Sequence, residues 1–153
     1  MILSCYSLLA TINLFAIFME LKRVVVTGMG AITPIGNSVE EVWNNALNGV
    51  SGAALITHFD TEKFKTKFAC EVKGFNAADY IDPKEARKMD LYSQYAVAAA
   101  KQAMEDSKMD LTKVNLDRIG VIYGVGIGGL RTFEEEYGYY ERTKENGPKF
   151  NPF

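Results

Sequence analysis

Three runs of apolar residues along the chain carry the pattern of β-strands. Residues 23–27 form a continuous β-branched run, which predicts a strand covered on both faces, as in parallel sheets. Residues 67–73 alternate apolar with polar or small side chains and predict a half-buried strand. Residues 118–123 predict a third strand, which leads directly into a glycine-rich loop.

Helical patterns lie between and after these strands, and they begin near residues 39, 83, 90 and 130. Ser38 and Glu41 form a capping box, because the hydroxyl and the carboxylate can each accept a hydrogen bond from a free backbone amide at the start of a helix. Residues 90–107 are rich in alanine, which predicts a buried helix that a neighbouring element approaches closely. The alternation of strands and helices predicts an α/β fold.

The first 18 residues differ from the rest because they carry no charged side chain. Three interpretations stay open: translated upstream sequence before a start at Met19, a membrane anchor, and an apolar packing or signal segment. The first is favoured because Met19 opens a charged stretch that leads into the first strand. We therefore divide the chain into a hydrophobic extension, 1–18, and a domain, 19–153.

Composition excludes several classes of function. Lys and Arg together number 17 and Asp and Glu 19, so the net charge of −2 offers no electrostatic basis for nucleic-acid binding. Two cysteines and one histidine are too few for a disulfide framework or for a metal site with two imidazoles. We expect no metal and no cofactor.

Cys70 and His58 are the residues that could carry nucleophilic or acid–base chemistry. Cys70 lies in the middle of a predicted strand, away from any helix N-terminus, and is predicted to be a buried core thiol. His58 lies in a loop with polar neighbours and is predicted to have a surface or capping role.

Glycines 124, 126 and 129 match the G-x-G-x-x-G pattern between a predicted strand and a predicted helix. A small dinucleotide-binding α/β domain is therefore one hypothesis, with pyrophosphate at the helix N-terminus. The alternative is that these glycines only permit a tight turn from strand to helix. Gly28 and Gly30, after the first strand, are an incomplete version of the same pattern.

Four stretches together resemble the N-terminal part of the β-ketoacyl-[acyl-carrier-protein] synthases of type II fatty acid synthesis. These are residues 21–43, 58–76, 84–90 and 118–130, in the order and spacing of that family. The resemblance implies a partial thiolase-like fold, the first half of a five-layered αβαβα architecture with an incomplete sheet. Residues 19–153 would then be a partial N-terminal β-ketoacyl synthase domain.

The resemblance implies a decarboxylative Claisen condensation of an acyl thioester with malonyl-carrier protein. A cysteine takes the acyl group, and two histidines stabilise the enolate. Neither Cys5 nor Cys70 matches the nucleophile, and His58 matches neither histidine, so no catalytic residue is assigned and the chain alone is expected to be inactive. Acyl carrier protein is the implied partner, a homodimer the implied assembly of the full-length family, and the cytoplasm the implied location. A non-catalytic partner of a full synthase, as chain-length factors are, is an alternative.

Ile127 matches the apolar residue that lines the family's acyl pocket. Gly126 and Gly128 flank it and would leave room for an acyl chain. Val125 departs from the serine common at that position. We expect this set, Gly126, Ile127 and Gly128, to line an acyl pocket, with ordinary core packing of Ile127 as the alternative.

The implied partial fold also has a consequence for stability. An incomplete sheet leaves an open strand edge and uncovered apolar helix faces. We expect a marginal, aggregation-prone product when the chain is expressed alone.

Overall fold

The computed structural model describes residues 22–147. Its α-helices are α1 (Val39–Leu47), α2 (Pro83–Ala86), α3 (Leu91–Ser107) and α4 (Leu130–Thr143). Its two strands, β1 (Ala54–Leu55) and β2 (Phe68–Ala69), pair antiparallel. Single 3₁₀ turns lie at Ala77–Asp79, Leu116–Arg118 and Lys144–Asn146.

Helix α1 begins where the capping box places it. Ser38 Oγ accepts the amide of Glu41 at 3.2 Å. The Glu41 carboxylate reaches back to the amide of Asn37 at 2.7 Å, one residue before the expected partner. Both bonds satisfy amides that have no partner within the helix, so the predicted start of α1 is confirmed.

Helix α3 is the element against which the N-terminal segment packs. Gly28 and Gly30 approach it so closely that a Cβ at either position would overlap a backbone oxygen, of Ala103 and Ala99 respectively. The amide of Ala31 donates to the Gln102 side chain at 3.0 Å. The close approach to the alanine-rich helix is confirmed, and it explains the glycines at 28 and 30 by packing. The prediction that this helix is buried was wrong for the described residues, because Ala98 is its one buried residue there.

The strands predicted at 23–27 and 118–123 are absent from the described part of the chain. Neither run has a ladder partner among residues 22–147, and both are exposed, with Val24 at 89% and Ile122 at 99% of full exposure. A β-branched run becomes a strand only when a neighbour satisfies its amides and carbonyls. The prediction of these strands was wrong for the described residues because sequence pattern alone does not supply that neighbour.

The strand predicted at 67–73 is shorter in the structure, where it is β2, and its predicted inward face is half-buried only at Val72. Ala69 and Glu71 turn inward, whereas Phe68 and Cys70 are exposed. The Glu71 carboxylate accepts the amide and hydroxyl of Thr57 at 3.1 and 2.8 Å, and these bonds hold it on the inner side. The prediction of Cys70 as a buried core thiol was therefore wrong.

The buried interior of the described residues is small. Ile81, Ala86 and Ala98 form it, and Ala98 of α3 has no solvent-accessible surface. Beside it, the Phe75 ring contacts the Tyr95 ring edge-to-face, with centroids 4.9 Å apart. Since three small or medium side chains bury little apolar area, this core contributes little hydrophobic free energy.

No helix within residues 22–147 has the length and apolar character needed to cross a bilayer. The hydrophobic extension, 1–18, lies outside the described residues, as does position 19.

Candidate acyl-binding loop

The glycine-rich loop reaches α4 through a turn centred on Gly128. Gly128 has a φ of +79°, a left-handed conformation that strongly favours glycine. The amide of Leu130 donates to the carbonyl of Gly128 at 3.0 Å, and the amide of Phe133 to that of Gly129 at 2.9 Å. These bonds fix where the loop ends and the helix begins.

The residues predicted to line an acyl pocket are consecutive in this loop. Ile127 is 81% exposed, and a Cβ at Gly126 or Gly128 would meet no atom within 4 Å. Ordinary core packing, the alternative for Ile127, does not hold for the described residues because the side chain faces solvent. The role of Gly126, Ile127 and Gly128 in acyl binding stays a prediction.

Asp90 connects this loop to α3. Its Oδ1 accepts the amide of Leu91 at 2.6 Å and so caps the start of α3. Its Oδ2 accepts both the hydroxyl of Thr132 at 2.7 Å and the amide of Thr132 at 3.3 Å. Since the N-cap of α4 is Gly129, which has no side chain, Asp90 supplies the acceptor that an N-cap side chain would otherwise provide.

The electrostatics of Asp90 favour its ionised form. Partial burial is the largest single influence and opposes ionisation, but it is outweighed by the Thr132 hydroxyl, the amides of Leu91 and Thr132, and the charge of Arg131. The pKa of Asp90 is therefore lowered below its ordinary value of 3.8. The carboxylate is negatively charged at neutral pH.

Gly129 permits the contact between Asp90 and Thr132. A Cβ at Gly129 would lie 2.9 Å from Asp90 Oδ2, too close for the carboxylate to stay where it is. Three hydrogen bonds hold that carboxylate, so it cannot move aside without breaking some of them. The contact between Asp90 and Thr132 therefore requires glycine at position 129.

A cavity of about 530 Å³ lies between the starts of α3 and α4. Its lining is mixed: Met89, Tyr92 and Phe133 contribute apolar atoms, and the other lining residues are Lys88, Asp90, Ser93, Gly129, Thr132 and Glu136. Its volume falls in the range of small-molecule sites. It lies next to the loop that carries Ile127.

The same geometry argues against the dinucleotide hypothesis. Phosphate binds at a helix N-terminus because free amides and the helix dipole attract negative charge. At the start of α4 the Asp90 carboxylate already accepts the amide of Thr132 and would repel a phosphate. Gly124 and Gly126 precede a helix start that is already occupied by an anion.

His58 has the exposed position expected of it. Its side chain is 54% exposed, and Nε2 lies 3.9 Å from Glu71 Oε1. The pKa of Glu71 is lowered chiefly by the hydrogen bond from the Thr57 hydroxyl. The amides of Thr57 and His58 and the charge of His58 lower it further, against a smaller opposing effect of desolvation. Cys70 is a free, exposed thiol. His58 follows β1 and Cys70 follows β2, whereas Ile127 lies in the loop before α4.

Sequence reasoning missed the link between Asp90 and Thr132. The two residues are 42 positions apart, so no local spacing signals their contact. Asp90 by itself is recognisable from sequence as the start of α3, and Thr132 as part of the first turn of α4.

Comparison with known proteins identifies the family of the chain. The Beta-ketoacyl synthase, N-terminal domain family matches residues 21–151. The 3-oxoacyl-[acyl-carrier-protein] synthase 2 of Staphylococcus aureus (strain COL) is 49% identical over 133 residues, which cover 86% of this chain and 31% of that relative. The chain thus spans about a third of the length of the curated relatives it matches.

Solved structures agree with the sequence comparison. The ishigamide ketosynthase/chain length factor superposes with a TM-score of 0.66 at 34% identity, covering 80% of this chain and 30% of that one. A type II PKS acyl-carrier protein in complex with its ketosynthase gives a TM-score of 0.68 at 27% identity, covering 86% and 34%.

The described fold is thus part of a thiolase-like ketosynthase fold, mixed in helix and sheet. The chain belongs to the β-ketoacyl synthase family, within which it matches the N-terminal domain.

Proposed function

We propose that this chain is the N-terminal part of a 3-oxoacyl-[acyl-carrier-protein] synthase of fatty acid biosynthesis. The observation that carries the proposal is the 49% identity to the Staphylococcus aureus synthase over 133 residues. The geometry agrees with it, because the loop with Ile127 is exposed beside a partly apolar cavity and is attached to α3 through Asp90.

In this proposal the chain contributes acyl binding to the reaction. The enzyme class attacks an acyl thioester with a cysteine thiolate, which forms an acyl-enzyme and releases the carrier thiol. Malonyl-carrier protein then loses CO₂, and the resulting enolate forms the new carbon–carbon bond as the thiolate leaves. Ile127, with Gly126 and Gly128 beside it, contacts the hydrocarbon of the acyl group. The described residues alone do not catalyse the condensation.

Acyl carrier protein is the proposed partner. Support comes from the ketosynthase neighbour whose structure is described as a complex with its acyl-carrier protein. A homodimer and a cytoplasmic location belong to the same proposal.

A graft into the Staphylococcus aureus relative tests the proposal. Residues 21–151 of this chain replace the matching part of that synthase, and formation of β-ketoacyl-carrier protein is measured with short and long acyl substrates. We expect the graft to condense, and Ile127→Phe to reduce the rate with long acyl chains by about tenfold while short chains are spared.

Leu111→Phe in the same graft is the matched control. Leu111 is also an exposed aliphatic residue, and it lies in the loop after α3. Its replacement should leave the preference for acyl length unchanged. A graft that folds but does not condense, or an Ile127→Phe enzyme with unaltered preference, would contradict the proposal. Condensation by the unmodified chain alone would contradict the expected inactivity.

A chain-length factor is the second candidate, because one structural neighbour is described as a ketosynthase/chain length factor at 34% identity. Such a chain would form a stoichiometric complex with a complete synthase. Size-exclusion chromatography of the mixture, with masses measured by light scattering, distinguishes it from the first candidate.

A further inference from the structure

We propose that Asp90 is a positioning residue, which holds the Ile127 loop and the start of α4 at a fixed place against α3. The inference rests on the proposed function in so far as Ile127 binds the acyl group. Asp90 itself touches neither the acyl chain nor the reacting atoms in this proposal.

The hydrogen bonds of the Asp90 carboxylate connect the starts of α3 and α4. Asp90 Oδ1 accepts from Leu91, and Oδ2 accepts twice from Thr132. One rigid carboxylate thereby fixes the starts of two helices relative to each other. The loop turns at Gly128, only four residues before Thr132, so the position of the α4 start sets the position of Ile127.

Gly129 leaves the space that the contact between Asp90 and Thr132 needs. Gly129 brings the α4 start within reach of Asp90, and any side chain there would displace the carboxylate. Asp90, Gly129 and Thr132 also line the same cavity. Loss of the bond to Thr132 therefore changes both the loop and the cavity beside it.

Charged neighbours surround this contact on both helices. Arg131 acts on Asp90 through its charge and is itself paired with Glu135 at 2.8 Å. Arg87, Lys88 and Glu136 line the adjoining surface. These charges and the Thr132 amide stay in place when Thr132 is replaced by valine. The substitution therefore isolates the hydrogen bond of the Thr132 hydroxyl from the electrostatic field.

The experiment compares Thr132→Val, which removes the hydroxyl, with Thr132→Ser, which keeps it. Hydrogen–deuterium exchange of the loop and of the first turn of α4 is followed by mass spectrometry on the full chain at low concentration. We expect Thr132→Val to raise exchange over residues 130–133, where the hydrogen-bonded amides of the α4 start lie, by about tenfold and Thr132→Ser to remain close to the unmodified chain. Exchange in the middle of α3 should not change in either variant.

The bond between Asp110 and Thr112 provides the matched control. The Thr112 hydroxyl donates to Asp110 at 2.7 Å, the same chemistry as in the Asp90 contact, but within a single turn. Thr112→Val should leave exchange over residues 130–133 unchanged. Unaltered exchange over residues 130–133 in Thr132→Val, or equal increases in Thr132→Val and Thr132→Ser, would overturn the proposal.

Binding of dodecanoyl-pantetheine separates this inference from the proposed function. We expect Thr132→Val to weaken binding about fivefold and Thr132→Ser to restore it. If the unmodified chain does not bind this probe, acyl binding by this part of the protein is refuted, while the exchange data still decide whether Asp90 holds the loop. If the chain binds and Thr132→Val binds equally well, the positioning role is refuted and the proposed function stands.

Discussion

A single carboxylate, that of Asp90, accepts hydrogen bonds from the starts of two helices. Its local role as the N-cap of α3 follows from sequence, because aspartate is among the preferred N-cap residues. Its second role depends on Gly129, which has no side chain with which to cap α4. At the scale of the residue, the loop geometry depends on the charged carboxylate of Asp90 and on the absence of a Cβ at Gly129.

The protonation of Asp90 gives a prediction for acid pH. Its pKa is lowered in the folded chain, so its contribution to stability is present above the ordinary value of 3.8 and is lost as pH falls through the lower, folded value. We expect exchange protection at the start of α4 to fall below about pH 4 in the unmodified chain. In Asp90→Asn the protection should be lower at neutral pH and should not show this acid step.

Other carboxylates do not affect the comparison between the unmodified chain and Asp90→Asn. The pKa values of Glu71 and Asp110 are also lowered, so acid weakens other parts of the chain as well. The difference between the unmodified chain and Asp90→Asn removes their contribution, because both chains keep them. An acid step of equal size in both chains would show that Asp90 is not the titrating group.

Substitution of Gly129 provides a second prediction. A Cβ would lie 2.9 Å from Asp90 Oδ2, so we expect Gly129→Ala to break the bond to Thr132 and to raise exchange in the first turn of α4 by about tenfold. Gly126→Ala is the control, since a Cβ there meets no atom within 4 Å. Equal exchange in the two variants would contradict the assignment of Gly129.

At the scale of elements, the contact between the N-terminal segment and α3 depends on glycine at position 30. A Cβ at Gly30 would overlap the carbonyl oxygen of Ala99, which is backbone and cannot rotate away. We therefore expect Gly30→Ala to destabilise the packing of residues 28–31 on α3 by about 1–3 kcal/mol. Exchange of the Ala31 amide, which donates to Gln102, measures it.

Gly120→Ala is the control for this substitution. Gly120 has open space around it and no positive φ, so alanine should be tolerated there. Protection of Ala31 that is the same in Gly30→Ala and in the unmodified chain would mean that the segment does not pack as described.

Helices were predictable from this sequence and strands were not, for a physical reason. The start of α1 is set by side chains within three residues of each other, Ser38 and Glu41, and the start of α2 by Asp82. A strand needs a partner that local sequence does not identify. Residues 23–27 therefore have the composition of a strand but no pairing partner within residues 22–147. Just after β2, Glu71 faces inward against expectation.

In the candidate site, too, local features are predictable from sequence and contacts between distant residues are not. Ile127 with its flanking glycines follows from resemblance to a family, because that resemblance is carried by consecutive residues. The contact between Asp90 and Thr132 joins residues 42 positions apart and becomes visible only in three dimensions. Sequence therefore indicates which loop would bind the acyl group, and the structure indicates what holds that loop.

At the scale of the whole molecule, the exposed apolar segments within residues 22–147 have more surface than the small core of the same residues can offset. Val24 and Val26 in one segment and Val121 and Ile122 in another are each exposed by 80% or more. Apolar runs with unpaired backbone groups promote association with other chains. A net charge of only −2 opposes such association weakly.

We therefore predict that the purified chain associates at micromolar concentration and that charge placed on these two segments reduces association. Val26→Glu with Ile122→Glu should lower light scattering severalfold relative to the unmodified chain. Thr27→Glu with Thr66→Glu adds the same charge at exposed polar positions, so it separates the loss of apolar surface from the gain in repulsion. Equal scattering from both double variants would assign the effect to net charge, and a sharp, reversible unfolding transition of the unmodified monomer would contradict the prediction as a whole.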